Sequence, residues 1–145
     1  MQEMESALST IVSGPILKSR LMETEPVDVS RPQDWYLNRI VAGTFDGTPE
    51  ELLENTQAIE IRLGRSEKGK RAPRTADIDI LLFDDLVIYE ENLIIPHPAL
   101  VTRRFCIEGL FEILPLYSIY GLGISVTELY RNMGDDVRKQ KINFL

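Results

Sequence analysis

The stretch Asp77-Ile78-Asp79-Ile80-Leu81-Leu82-Phe83 constrains this chain more than any other. An apolar run of that length has to be buried, yet it opens with two carboxylates one residue apart. Read as a strand, it places Asp77, Asp79, Leu81 and Phe83 on one face and Ile78, Ile80 and Leu82 on the other. The second face is wholly apolar and is expected to pack on helices. The two carboxylates then stand about 6.5 to 7 Å apart along the strand, and like charges at that spacing repel unless something positive joins them. Arg62, Arg65, Lys68, Lys70, Arg71 and Arg74 crowd the window just upstream. A hard divalent cation suits such a pair, because magnesium takes a few carboxylate oxygens together with water and substrate phosphates. The basic window would add countercharge to a polyphosphate, which is the positioning and electrostatic work of phosphoryl transfer. Taken alone, the acidic pair equally suits a solvated edge or ion pairs with nearby arginines, and a basic loop equally suits a solvated surface.

Charge and composition remove other classes. The net charge of −7 argues against a general nucleic-acid binder, which needs a broad basic face. No apolar stretch is long enough to span a bilayer, and Met1-Gln2-Glu3-Met4-Glu5 lacks the design of a secretory signal. A single cysteine, Cys106, excludes an internal disulfide, suits a cytoplasmic location and reads as a small buried apolar residue. With 145 residues, 43% of them apolar, no repeat and no linker, residues 1–145 are expected to form one domain. Oligomeric state is left open.

Periodicity supplies the elements. Met4, Ala7, Leu8 and Ile11 follow helical spacing until Gly14-Pro15. Strands are expected over 16–23 and 36–45, the latter ended by Asp46-Gly47. Thr48-Pro49-Glu50-Glu51 is a capping box with proline at the first helical position, and Leu52, Leu53, Thr56, Ile59 and Leu63 give that helix one apolar stripe up to a C-terminal cap at Gly64. After the basic loop come the strand 77–83, a turn at Asp84-Asp85, a short returning strand 86–89 and an extended Leu93-Ile94-Ile95. Helix in one or two pieces is expected over 98–114, and Ser125-Val126-Thr127-Glu128 is a second capping box whose helix should stop at Gly134. Interleaved helices and strands joined by tight turns indicate an α+β fold with a mostly antiparallel sheet.

Residues 71 to 83, Arg-Ala-Pro-Arg-Thr-Ala-Asp-Ile-Asp-Ile-Leu-Leu-Phe, resemble the signature of the 6-hydroxymethyl-7,8-dihydropterin pyrophosphokinase family of folate biosynthesis. Tyr36-Leu37-Asn38, Gln57 and Glu60, Gly64-Arg65, Pro96-His97-Pro98 and Arg103-Arg104-Phe105 follow the family's order, so the likeness covers nearly the whole chain. The resemblance implies a ferredoxin-like fold with helices packed on the sheet. It also implies transfer of the terminal diphosphate of ATP to the pterin's hydroxymethyl oxygen, with release of AMP and use of two magnesium ions. By the same resemblance Asp77 and Asp79 hold both ions, while Arg65 and Arg74 stabilise the polyphosphate. Gln57, Glu60, Ile80, His97 and Arg103 line the ATP site, and Lys68 and Lys70 sit in the loop that closes over the nucleotide. Asn38 meets the pterin's polar edge, Phe105 and Tyr36 flank its ring, and Thr24 and Val27 lie where the family contacts it. The partners implied are thus ATP and 6-hydroxymethyl-7,8-dihydropterin, with neither nucleic acid nor membrane. Each residue keeps a structural alternative: Asn38 on loop backbone, Phe105 in the core, His97 as a rigid turn, Gln57 and Glu60 as an ordinary polar helix face.

The chain departs from the family pattern at its start, where the opening strand and Gly-Ser-Asn-Leu-Gly have no counterpart. About 12 to 20 upstream residues are therefore expected to be missing, judged from strand and turn lengths. A catalytically impaired pterin- or nucleotide-binding relative, or a truncated fragment, is the alternative reading. The basic loop is about one residue shorter, with Arg71 in place of a common tryptophan. Pro98 replaces a frequent tyrosine and Glu25 a common proline.

Overall fold

The computed structural model describes residues 1–26, 35–65 and 77–145. In chain order these form α1 (Gln2–Ser9), β1 (Ser13–Lys18), β2 (Met22–Thr24), β3 (Tyr36–Asn38), β4 (Val41–Thr44) and α2 (Pro49–Glu60), which runs into a π-helical turn (Ile61–Arg65). There follow β5 (Ile88–Glu90), β6 (Leu93–Ile95), α3 (Ala99–Thr102), α4 (Arg104–Ile113), β7 (Ser118–Ile119), β8 (Ile124–Ser125), α5 (Val126–Arg131), α6 (Asp135–Arg138) and β9 (Ile142–Phe144). The fold class is α+β, as the interleaved pattern required. β1 pairs with β4, β5 with β6 and β7 with β8, while β2 is the centre of an antiparallel β3-β2-β9 sheet. The chain divides into two compact units, Met1–Ile16 with Gly43–Ile80 and Leu17–Ala42 with Leu81–Leu145.

In the first unit the Thr48 hydroxyl accepts from the Glu51 amide at 3.1 Å and the Glu51 carboxylate accepts from the Thr48 amide at 3.0 Å, so the expected capping box starts α2. Its inner stripe buries Thr56, Ile59 and Glu60. The stop expected at Gly64 is corrected: the backbone coils on through Gly64 as the π turn. Local glycine preference is a small term, readily outweighed by tertiary context.

The second unit is built on Met22, Ile40, Leu100, Ile107, Leu110, Ile119, Val126, Leu129 and Met133. Gly109 lets α4 approach the first strands, since a Cβ there would collide with the Ile40 side chain and press on Met22. Phe111 of α4 stacks on Tyr130 of α5 with ring centroids 4.0 Å apart. Arg20 donates from Nε to Glu112 of α4 at 2.7 Å and lies over the Phe144 ring of β9 at 4.1 Å.

Three expected strands are corrected. The strand over 16–23 divides into β1 and β2, and that over 36–45 into β3 and β4, with the breaks at Ser19 and Ile40. The buried Ser19 donates its amide to Ile40 O at 2.8 Å, while its hydroxyl accepts from the Ile40 amide at 2.9 Å. A side chain there satisfies a donor that a ladder would otherwise use. The third correction is 77–83, which belongs to no ladder among the described residues. The Ile78 amide goes to the Glu60 carboxylate at 2.7 Å, and Leu81 O accepts from the His97 amide at 3.0 Å. The alternation still holds as far as Ile80, with Asp77 and Asp79 exposed, Ile78 half-buried and Ile80 buried. Leu81 and Leu82 then both pack on the second unit's core, which ends it. The turn follows as expected, Asp84 taking a φ of 49° and Leu86 N closing on Phe83 O at 3.1 Å. The returning strand lies slightly later than expected, at Ile88–Glu90.

Candidate active site

In the first unit the candidate residues gather at the C-terminal end of α2. Gln57 is exposed on the helix, and Glu60, its last residue, is only 7% exposed. The Glu60 carboxylate accepts from the amide of Ile78, the residue between the two aspartates. Asp77 and Asp79 expose their carboxylates on either side of that amide. Ile80 is buried beyond them, so it anchors the segment's inner face. Among the described residues no cluster of three or more acidic, histidine or cysteine side chains forms a closed metal cage. Two exposed aspartates one residue apart offer oxygen donors of the kind that a hard cation takes together with water and phosphate oxygens. Arg65 ends the π turn, but its side chain lies outside the described residues, as do Lys68, Lys70 and Arg74.

The second unit holds a small cleft lined by Thr24, Glu25, Arg103, Phe105, Gln140, Lys141 and Ile142. Thr24 is buried on the central strand, and its hydroxyl accepts from Asn38 Nδ2 at 2.7 Å across the β2–β3 ladder. Tyr36 pairs with Thr24 in the same ladder and is exposed. Phe105, half-buried in the first turn of α4, carries the Arg103 guanidinium 5.5 Å from its ring centroid. That separation is within cation–π range. Arg103 Nε is buried and has no hydrogen-bond partner among the described residues. Arg103, expected in the nucleotide site, also lines this cleft with Thr24 and Phe105. Val27 lies outside the described residues.

His97 Nδ1 accepts from the amide of Ala99, the first residue of α3, at 3.0 Å. The other ring nitrogen then carries the proton in the neutral ring.

Glu25, Gln140, Lys141 and Ile142 were not legible as cleft residues. Gln140 is fixed by accepting from the Arg104 amide at 2.8 Å and by donating to Thr102 O at 2.8 Å. The Lys141 amide donates to Glu25 at 3.1 Å. These bonds join residues far apart in sequence and leave no local signal.

A family model described as 7,8-dihydro-6-hydroxymethylpterin-pyrophosphokinase matches residues 1–115. A curated Bacillus subtilis (strain 168) protein named 2-amino-4-hydroxy-6-hydroxymethyldihydropteridine pyrophosphokinase is 45% identical over 95 residues, covering 66% of this chain and 56% of the relative. Relatives of the same name from Methylorubrum extorquens and Aquifex aeolicus are each 40% identical, over 57% and 59% of this chain and 52% and 54% of their own length. The chain spans about half the length of these curated relatives.

Proposed function

The chain belongs to the 7,8-dihydro-6-hydroxymethylpterin-pyrophosphokinase family, and from that premise we propose that it transfers diphosphate from ATP to 6-hydroxymethyl-7,8-dihydropterin. The pterin's hydroxymethyl oxygen forms a bond to the β-phosphorus of ATP, the bond from that phosphorus to the α-phosphate's bridging oxygen breaks, and AMP departs. The hydroxyl proton is released to solvent. Residues 1–145 act as one pyrophosphokinase unit in folate biosynthesis.

The observation that carries this reading is the exposed pair Asp77 and Asp79, held on either side of an amide that a buried carboxylate binds. In this reading the pair holds two magnesium ions. Bound there, magnesium would neutralise phosphate charge and polarise the reacting phosphorus. Arg65 and Arg74 offset the charge that moves onto departing AMP, and Lys68 and Lys70 cover the nucleotide. Gln57, Ile80, His97 and Arg103 border the ATP. Thr24, Asn38, Tyr36 and Phe105 receive the pterin, with the Asn38–Thr24 hydrogen bond orienting an amide toward its polar edge and Phe105 offering a ring face. Val27 adds an apolar contact. No helix among the described residues is long and apolar enough to cross a membrane, and a cytoplasmic setting suits these small polar substrates.

The test is AMP release from ATP, followed with the pterin and magnesium each present and absent. Release that requires both is expected. Tight binding of an ATP analogue with no AMP under any condition would reject the activity.

A further inference from the structure

The Glu60 carboxylate is turned onto the protein's own backbone. Its Oε2 accepts from the Ile78 amide at 2.7 Å, and the residue is 7% exposed at the last position of α2. Ile78 is the single residue separating Asp77 from Asp79. The Asp77–Ile78 peptide is planar, so a bond to its N–H fixes the Asp77 carbonyl and both flanking Cα atoms as one body. Burial of Ile80 supplies a second anchor, two residues on, to the same inner face. Asp77 and Asp79 are both exposed on this segment.

Such a tether has energetic work to do. Two carboxylates on one short segment repel each other, so whatever fixes the backbone between them bears on their spacing. A hydrogen bond to a carboxylate is stronger than a neutral one. A segment bonded in this way loses less freedom when a ligand arrives, so more of the binding energy is retained.

We propose that Glu60 is a positioning residue for the acidic pair, setting the spacing of Asp77 and Asp79 through the Ile78 amide before cation and nucleotide bind. This rests on the reading of Asp77 and Asp79 as metal ligands, and it moves Glu60 from the nucleotide's border to the support behind the metal pair. The mechanism depends on reach. Glu60→Gln keeps an acceptor oxygen at the same distance without the charge, whereas Glu60→Asp keeps the charge and withdraws it by one methylene.

The experiment measures Mn²⁺ affinity by the electron paramagnetic resonance of free Mn²⁺, using the full chain saturated with α,β-methylene-ATP. Binding of that analogue without metal is measured in parallel. Glu60→Gln should retain Mn²⁺ affinity within about threefold, and Glu60→Asp should lose tenfold or more, the scale typical of supporting contacts around a metal. Affinity for the metal-free analogue should not change in either variant. Parental Mn²⁺ affinity in Glu60→Asp overturns the proposal, as does a Glu60→Gln loss matching that of Glu60→Asp. Parallel loss of metal-free nucleotide binding also overturns it, because that is the mark of general structural damage. Asp79→Ala separates the two readings: if it too binds Mn²⁺ like the parent, the metal assignment itself fails. If only Asp79→Ala loses Mn²⁺, the metal assignment stands and the positioning role fails.

Discussion

Asp79 presents an exposed carboxylate beyond the tethered Ile78 amide, so its removal deletes a donor without opening a core. Asp79→Ala is expected to lower AMP formation at least about a hundredfold, the upper end for residues that merely support a metal. Its thermal midpoint should stay parental, and turnover near the parent's would refute the ligand role. Arg74→Ala should reduce kcat on the order of a thousandfold while KM for ATP moves little, as for a cation that acts mainly on the transition state. An equal rise in KM with kcat preserved would make it a ground-state contact instead. Tyr117 gives a prediction of another kind. Its hydroxyl donates to Asp84 O at 2.8 Å, and burial, followed by the charges of Asp85 and Asp84, raises its pKa above the ordinary value of 10.0. The folded protein therefore holds that proton more tightly than the unfolded chain does. The associated stability is complete below about pH 10 and is lost as pH rises through the raised folded value. Tyr117→Phe should remove that alkaline decline, which urea midpoints at about pH 8 and pH 11 would show. At this scale the alternation read from the sequence placed Asp77 and Asp79 on one side of their segment, and both are exposed. It placed Gln57 and Glu60 on one helix face by spacing, but not that Glu60 would be buried with its carboxylate on the Ile78 amide.

Elements were legible where their signals are local. Thr48 with Glu51 and Ser125 with Glu128 form the reciprocal caps that their spacing announced. Thr48→Ala should cost about 1 kcal/mol of stability, measurable as a lower urea midpoint. The division of two long strands was not legible, because it depends on a hydroxyl at Ser19 meeting an amide at Ile40, 21 residues away. The three-residue β9 was missed for a similar reason: it is defined by its antiparallel partner β2, and Ile142-Asn143-Phe144 alone says little. The segment 77–83 carries the alternation of a strand through Ile80, yet its amide at 78 is taken by a side chain. Helix α4 gives the sharpest packing test. Gly109→Ala would drive a methyl group into Ile40, and overpacking of this kind typically costs about 1–3 kcal/mol. An unchanged thermal midpoint would show that α4 can shift to make room.

On the scale of the whole molecule, fold class was readable from the alternation of helical and extended periods, whereas the division into two units was not. Each unit draws on two separated stretches of sequence, and the division falls inside β1 after Ile16 and inside β4 after Ala42. Deleting residues 142–145 should therefore disturb β2, a strand more than a hundred residues earlier, because β9 pairs with Met22 through Thr24. A fall in Tm of roughly 5 °C or more is expected, since each kcal/mol is worth a few degrees in a chain of this size. Weaker pterin binding should accompany it, as Ile142 lines the cleft beside Thr24. Unchanged binding would remove that strand from the site. The interleaved stretches also bear on how such a protein can be altered or inherited. The backbone passes from one unit to the other three times, after Ile16, Ala42 and Ile80. No single recombination breakpoint can transplant either unit as an intact cassette, and a protease cutting at any one crossing would release a fragment containing parts of both.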